Sequence, residues 1–404
     1  MHTYSKTTAC AFLIYIVTAS VQATVASPAE LPPYFGLGLK SHALNQSWMP
    51  ASGVPWNYRY QYLNNGWENW NSPPGQVVTN YIQYSVSNGY ISVFDWYLAG
   101  SQMNGSTTTL FSNLATPSYM NAYFSSFKLM LQKAGAFSSP VIVHIEPDMW
   151  SFMQQQRSQD PTTITVSVAS SGFSGVGGFA NNASGLAKAL VALRNTYAPN
   201  VLLAWDNCMW AVNYDPTCYS GCWSSAATYG SWVAKFYQKL AAKFDLIFFN
   251  SSDRDSGYKV TVLGQPSTQA WWNDTAFSNF QQYIASIYQA TGLKSMLWQT
   301  PIGNTLYRAV NDTKYHYQDN RAEYFLQSGN RQNITNFVSA GVIGILFGEG
   351  LEVGTSYWDA ANDGSTKPPP INGNTLKSNY SDDDGGFLRT SAAAYYSSGP
   401  VPVP

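Results

Sequence analysis

Charge is the first thing this chain has little of. Of 404 residues, 21 are Lys or Arg and 22 are Asp or Glu, 11% in all, with a net charge of −1. No basic face is available to displace counterions, so nucleic acid is not an expected partner. No Lys/Arg cluster suits a membrane surface. Histidine is scarcer still, at four residues. A catalytic triad or an imidazole metal centre is therefore disfavoured, and no metal and no cofactor are expected. No glycine-rich phosphate loop follows the first apolar strand, which leaves a dinucleotide fold little support.

Long hydrophobic runs are also missing, with one exception. The leading MHTYSKTTACAFLIYIVTASVQATVAS has a Lys, an apolar core from Ala11 to Val21 and then small residues. It is shorter than the roughly 20 residues a membrane span requires. It reads as a secretory signal over residues 1–26, cleaved near Ala23 or Ala26. The expectation is one domain over 27–404, secreted (extracellular or periplasmic), monomeric and not in the membrane. Cysteine is sparse too. Cys10 leaves with the signal, and Cys208, Cys218 and Cys222 share the segment CMWAVNYDPTCYSGC. One disulfide is expected there, from Cys208 to Cys218 or Cys222. Zinc is the weaker reading, because no His lies nearby.

Aromatics, by contrast, are plentiful, with 14 Trp and 28 Tyr. They suit either a large core or a sugar-binding cleft, where flat rings meet pyranose faces. Apolar strands alternate with helix-period segments. The strands are Tyr34–Lys40, Ile91–Leu98, the run VIVHIEPDMW that opens at Val141, Val201–Asp206, Asp245–Asn250, Ser295–Thr300 and Gly341–Gly348. Between them run helical faces such as Met120, Phe124, Phe127 and Leu131, or Trp232, Phe236, Leu240 and Phe244. Seven β/α units of nearly continuous apolar strands imply a parallel sheet buried on both faces. The expected fold is α/β, a distorted seven-stranded TIM-like barrel with long loops and an irregular tail after Gly350. Within that tail the DDDGG stretch at Asp382–Gly386 reads as a solvated acidic turn rather than a calcium loop.

In a parallel barrel the strand C-termini share one face, where active sites sit. Here those ends carry Asp95 and Trp96, then Glu146, Asp148 and Trp150, then Asp206 and Trp210. Asp253, Trp298, Glu349 and Glu352 follow on later strands. The run VIVHIEPDMW, ending at Trp150, is the sharpest of these. Its strand runs straight into two carboxylates, and burying an unpaired carboxylate costs several kcal/mol. Glu146 and Asp148 are read as facing opposite sides, with the bend at Pro147 leaving open which one meets the barrel mouth. Paired carboxylates with aromatic platforms suit glycoside hydrolysis, one acid protonating the leaving oxygen while the other activates water or attacks the sugar. Trp96, Trp150, Trp205, Trp210 and Trp298 are the candidate platforms. Any single acid is as readily a helix cap or the partner of Arg254 or Lys40.

IEPDMW resembles the strand-end motif IEPDS of the glycoside hydrolase family 6 cellulases. ISVFDWYL is similar to that family's earlier VVYDLPDRD strand, and NVLLAWDNCMW to its next, NVxxYLDAGHAGW. FFNSSDRDSGY stands where the family has an Asn-rich strand exit, and GILFGEGLEVGTS resembles its closing GGECDGTSD. The resemblance runs from about Ile91 to Ser356 as ordered short motifs. It implies a secreted, inverting β-1,4-glucanase with Asp148 as catalytic acid and Asp206 as an organising aspartate. Two positions depart from the pattern. Gly100 falls where the family has the aspartate that holds up the acid's pKa, and Val353 falls where it has its base. Glu349 and Glu352 are displaced substitutes. The expected reaction is hydrolysis of a β-glucan-like polysaccharide or oligosaccharide. Catalysis is assigned to Asp148 with Asp206, Glu349 or Glu146. Substrate binding is assigned to Lys40, Asp95, Trp96, Trp150, Trp210, Asp253, Trp298 and Glu352. The alternatives are a non-catalytic carbohydrate-binding barrel and a retaining enzyme using Glu146 and Glu349.

Overall fold

The computed structural model describes residues 28–404 except 44, 158, 218–223, 253, 308–314, 349–353 and 367–375. Residues 1–26, read above as a signal, lie outside the described residues. Eight strands, not seven, form a closed barrel in sequence order. They are β1 (Gly36–Lys40), β2 (Tyr58–Leu63), β3 (Ile91–Trp96), β4 (Val141–Ile145), β5 (Val201–Asn207), β6 (Leu246–Asn250), β7 (Lys294–Thr300) and β8 (Val342–Phe347). Every pairing is parallel, including β1 with β8, which closes the ring.

The strand that the apolar pattern misses is β2, YRYQYL. It has no aliphatic residue before Leu63, and only a single helical turn, Trp48–Ala51, separates it from β1. Its pattern of alternation is nevertheless a strand's. Tyr58 and Tyr60 join the cluster that fills the barrel interior, and Arg59 faces outward. The Arg59 guanidinium is buried there, 3.8 Å from the Tyr81 ring centroid and 4.7 Å from that of Tyr84. Cation–π stacking compensates a charge that would otherwise exclude this segment from a core. The tyrosines need room, and β1 provides it with glycine. A Cβ on Gly38 would lie 2.5 Å from Tyr58 Cβ and 2.6 Å from Leu346 Cδ2.

Among the described residues, the seven helices of nine residues or more wrap or close the barrel: α1 (Gln76–Ser87), α2 (Pro117–Ala134), α3 (Ala183–Tyr197), α4 (Ala226–Leu240), α5 (Asp274–Thr291), α6 (Arg331–Ser339) and α7 (Phe387–Ser397). Three begin at side-chain caps, Asn182 to Gly185 N–H, Ser225 to Thr228 N–H and Asn273 to Ala276 N–H. Each cap satisfies a backbone donor that the helix cannot. Their inward faces bury Met120, Phe124, Phe127 and Leu131 on α2, and Phe277, Phe280, Ile284 and Ile287 on α5. Each such side chain contributes about 1.5–3 kcal/mol through burial. On α4 the inward face is Tyr229, Val233, Phe236, Tyr237 and Leu240, while Trp232, expected on it, is 38% exposed. No helix among the described residues is long and apolar enough to cross a membrane.

Inside the barrel, Tyr58, Tyr60, Val93, Ile142, Leu202, Leu246, Phe248, Met296 and Leu346 fill the lower layers. Above them, toward the strand C-termini, the filling turns polar. Asp95, His144 and Asp206 replace hydrocarbon there, all fully buried. The DDDGG turn is likewise buried rather than solvated. Arg389 chelates Asp382, and Asp384 accepts from the N–H groups of Gly386 and Leu388 at the start of α7.

Candidate active site

The chain leaves β4 through Glu146-Pro147-Asp148 in an unusual conformation. Glu146 has φ +49° and Asp148 φ +74°, a region that residues with a Cβ rarely occupy. Each such residue costs about 1–3 kcal/mol unless its surroundings hold it, and such strain gathers at functional sites. Positions i and i+2 of a regular strand share a face. Strand geometry would thus have sent both acids to the mouth, and it is the turn that separates them.

Glu146 turns away from the mouth. Its carboxylate accepts from the backbone N–H groups of Leu98, Ala99 and Gly100 at 2.9–3.2 Å and is fully buried. Burial pushes its pKa up to about 7, against the lowering effect of those donors and of Tyr123. It ties β4 to the single helical turn Leu98–Ser101 after β3, so it does not reach a substrate and lends no support to a retaining pair with Glu349. Gly100 also explains why no aspartate stands in this turn. A Cβ there would be 2.1 Å from the Tyr97 ring.

Asp148 turns toward solvent and lines a pocket of about 320 Å³. The walls include Cys208, Trp210, Tyr214, Asp215, Asn250 and Trp272. Tyr97 donates its hydroxyl to Asp148 Oδ2 at 3.3 Å, and the Cys208 thiol lies 3.5 Å from Oδ1. Burial raises the Cys208 pKa well above its ordinary value, reinforced by Asp206 and Asp148, so the group is a thiol donor and not a thiolate. Cys208 is a free, buried cysteine and does not form the expected staple. Cys218 and Cys222 lie outside the described residues.

Asp206 sits one layer deeper. One oxygen, Oδ1, meets His144 Nε2 at 3.0 Å. The other, Oδ2, accepts the Asp148 backbone N–H at 3.1 Å and approaches Cys208 Sγ at 3.6 Å. With both oxygens engaged and no exposure, Asp206 organises the site from below rather than touching a sugar. His144 Nδ1 meets Asp95 Oδ1 at 2.8 Å, and Trp298 Nε1 donates to Asp95 Oδ2 at 3.1 Å. Burial raises the pKa of Asp95, opposed by His144, Trp298 and Lys40.

The other expected binding residues divide. Trp210 lies on the pocket wall. Trp298 is inside the barrel, edge-on to His144 with ring centroids 4.7 Å apart. Trp96, Trp150 and Trp205 are core residues and present no open ring face. Trp96 packs on Trp67, Tyr123 and Phe127, Trp150 on Phe244, and Trp205 on Phe236 and Tyr237. Asp95 is likewise below any ligand. Lys40 lies at the mouth, 5.8 Å over the Tyr62 ring. Asp253, Glu349 and Glu352 lie outside the described residues. Their flanks are anchored by Asp255, which accepts from Gly303 N–H at 2.9 Å and Thr355 N–H at 2.8 Å, joining the loops after β6, β7 and β8.

Sequence reasoning assigns no catalytic or binding role to His144, Tyr97, Cys208, Tyr214 or Trp272. The two-residue period offers a signal for two of them. His144 precedes Glu146 by two positions and Cys208 follows Asp206 by two, so each shares a strand face with a candidate acid.

No family model matches the chain, and no curated protein matches it. Solved structures that resemble it include the endoglucanase Cel6B from Humicola insolens, at 13% identity and a TM-score of 0.36, covering 68% of this chain and 78% of that one. The cellobiohydrolase Cel6A from Humicola insolens, in complex with glucose and cellotetraose, gives 12% identity and 0.38, covering 69% and 75%. The carboxyl transferase domain of Rhizobium etli pyruvate carboxylase gives 11% and 0.39, covering 91% and 47%. These likenesses are too slight to carry an inference about activity.

Proposed function

We propose that the protein is a secreted glycoside hydrolase acting on a β-glucan-like polysaccharide or oligosaccharide, with Asp148 as general acid. One observation carries this reading. A carboxylate held in a strained turn at the barrel mouth faces a pocket walled by Trp210 and Trp272, and a buried polar network holds it from beneath. Trp210, only partly buried, offers a stacking surface for a pyranose face, while Trp272 is buried with the Arg321 guanidinium 4.5 Å from its ring centroid. Asp148 protonates the glycosidic oxygen as the bond breaks. An inverting reaction needs a second carboxylate about 6.5–9.5 Å away to activate water. Glu349 and Glu352 are the candidates after β8, and Asp215 on the pocket rim is a third.

A carbohydrate-binding barrel without hydrolysis is the second reading. Tyr97 and Cys208 favour it, because both donate toward Asp148 and such donors stabilise a charged carboxylate over an acid. Digestion of a glycan library by the wild-type protein and by Asp148→Asn separates the two. Hydrolysis is expected from the wild type and a loss of about 10²–10⁴-fold in the variant, with binding retained. Absence of released sugar from every glucan, galactan, mannan and arabinan would sink the enzyme reading. Proton NMR of fresh product, showing the inverted anomer, tests the stereochemistry.

A further inference from the structure

His144 lies at the centre of the barrel, and the proposed chemistry leaves it without a task. It is fully buried between two fully buried carboxylates, with Nδ1 2.8 Å from Asp95 and Nε2 3.0 Å from Asp206. A neutral imidazole has one donor and one lone pair. Facing a carboxylate on each side, it would point that lone pair at an oxygen. The doubly protonated ring donates to both, and it supplies the positive charge that two buried carboxylates require. Phe248 lies 4.5 Å away at a tilt and Trp298 meets the ring edge-on at 4.7 Å, so the plane of the imidazole is fixed.

We propose that His144 is a positioning residue for Asp148: as a doubly protonated bridge between Asp95 and Asp206, it aims the free edge of Asp206 at the Asp148 backbone and so holds the strained turn that presents the acid. The chain of contacts is continuous. Trp298 Nε1 anchors Asp95, Asp95 anchors Nδ1, Nε2 fixes Asp206 Oδ1, and Asp206 Oδ2 holds the Asp148 N–H at 3.1 Å. On the other side of Pro147, Glu146 is held by the Leu98, Ala99 and Gly100 N–H groups. Both strained residues are therefore pinned from outside the turn. Burial alone would lower the His144 pKa, but the hydrogen bonds and charges of Asp206 and Asp95 overcome it and lift the ring to about 9. The other ionisable groups turned toward this centre are Lys40 on β1, Tyr60 and Tyr62 on β2, Asp148 and Tyr97 at the mouth, and Cys208 after β5. Phe248 on β6 and Trp298 on β7 bring no charge.

The catalytic half of this proposal rests on the glycosidase reading, and the first two measurements do not. In protein labelled with ¹⁵N-histidine, the His144 ring is expected to carry protons on both nitrogens from about pH 6 to about pH 8. It should lose one near pH 9. A single ring proton at neutral pH would overturn the proposal. In His144→Gln the Asp148 amide is expected to exchange with solvent at least about tenfold faster than in the wild type, since its acceptor is no longer fixed. Unchanged exchange in a folded variant would also overturn it. In turnover, His144→Gln is expected to lower kcat about 10–100-fold with KM nearly constant. An unchanged kcat in a folded variant, or a loss confined to KM, would refute the role. If the wild type releases no sugar while the two NMR results hold, the glycosidase reading fails and the positioning of Asp148 by His144 stands.

Discussion

Single residues at the mouth are set by the company they keep. Glu146 and Asp148 lie two apart, yet one is walled in by three amide donors and the other faces a pocket. The pKa of Glu146, about 7 when folded against an ordinary 4.5, makes it a measurable probe. A carboxyl whose folded pKa is raised binds its proton more tightly in the native state. Its stabilising contribution is therefore complete below about pH 4.5 and is lost as pH rises through about 7. Glu146→Gln removes this dependence and turns an amide group toward backbone donors. The variant is expected to be about 1–3 kcal/mol less stable than wild type near pH 4.5, with the gap narrowing toward pH 7. Urea midpoints measured across that range check it, and a gap that does not change with pH would contradict the environment assigned to Glu146.

At the scale of elements, the seam at β1 and β2 is the most constrained part of the barrel. Three tyrosines in one six-residue strand would overfill an ordinary barrel, and glycine in β1 makes the space. Gly38→Ala places a methyl group 2.5 Å from Tyr58 Cβ and 2.8 Å from the Tyr58 carbonyl oxygen, neither of which can give way as the end of the Leu346 side chain, 2.6 Å off, can. A loss of about 1–3 kcal/mol is expected, read as a lower denaturant midpoint with unchanged slope. The loops at the mouth depend on Asp255 in a similar way. Removing its carboxylate in Asp255→Ala leaves the buried N–H groups of Gly303 and Thr355 without their acceptor. The cost is about 1–3 kcal/mol for each group. Because Thr355 follows the segment that carries Glu349 and Glu352, kcat is expected to fall together with stability. Thermal unfolding and turnover measured on one preparation test this, and an activity loss without destabilisation would point instead to a direct role for Asp255.

At the scale of the whole molecule, the chain ends close the barrel from below. Phe35 N–H donates to the Val401 carbonyl at 2.7 Å, and Val403 N–H to that of Pro33 at 3.0 Å. Tyr395 of α7 links both ends, donating to the Phe35 carbonyl and accepting from the Val401 N–H. Leu31 and Val403 pack beneath Tyr58 and Leu346 at the floor of the interior. Deleting residues 400–404 removes the bonds made by Val401 and Val403, leaves that of Tyr395 to Phe35 in place, and exposes that floor. A loss of about 2–5 kcal/mol is expected, seen as a lower unfolding midpoint, with the pocket at the opposite end unaltered. An unchanged midpoint would show that the C-terminal segment is ornamental to the barrel.

The alternation of apolar strands with amphipathic helices was enough, by itself, to call for a parallel barrel, because burial on both faces leaves a strand no polar positions to spare. It also brought Asp95, Asp148 and Asp206 to one end, since parallel strands share their C-termini. β2 escaped that logic. Its core is aromatic, and its buried Arg59 is tolerable through rings donated by α1 and acceptors on Ser41 and Gln46, tertiary partners with no local signature. The division of labour among the acids escaped it too. Which carboxylate is caged, which is bridged and which is open depends on φ angles at Glu146 and Asp148 and on donors from neighbouring strands. His144 shows the difference most plainly. In sequence it is one histidine in an apolar run. Only the pairing and register of β4 between β3 and β5 set Asp95 on one side of it and Asp206 on the other, because a histidine's charge is decided by what folding brings within hydrogen-bond reach.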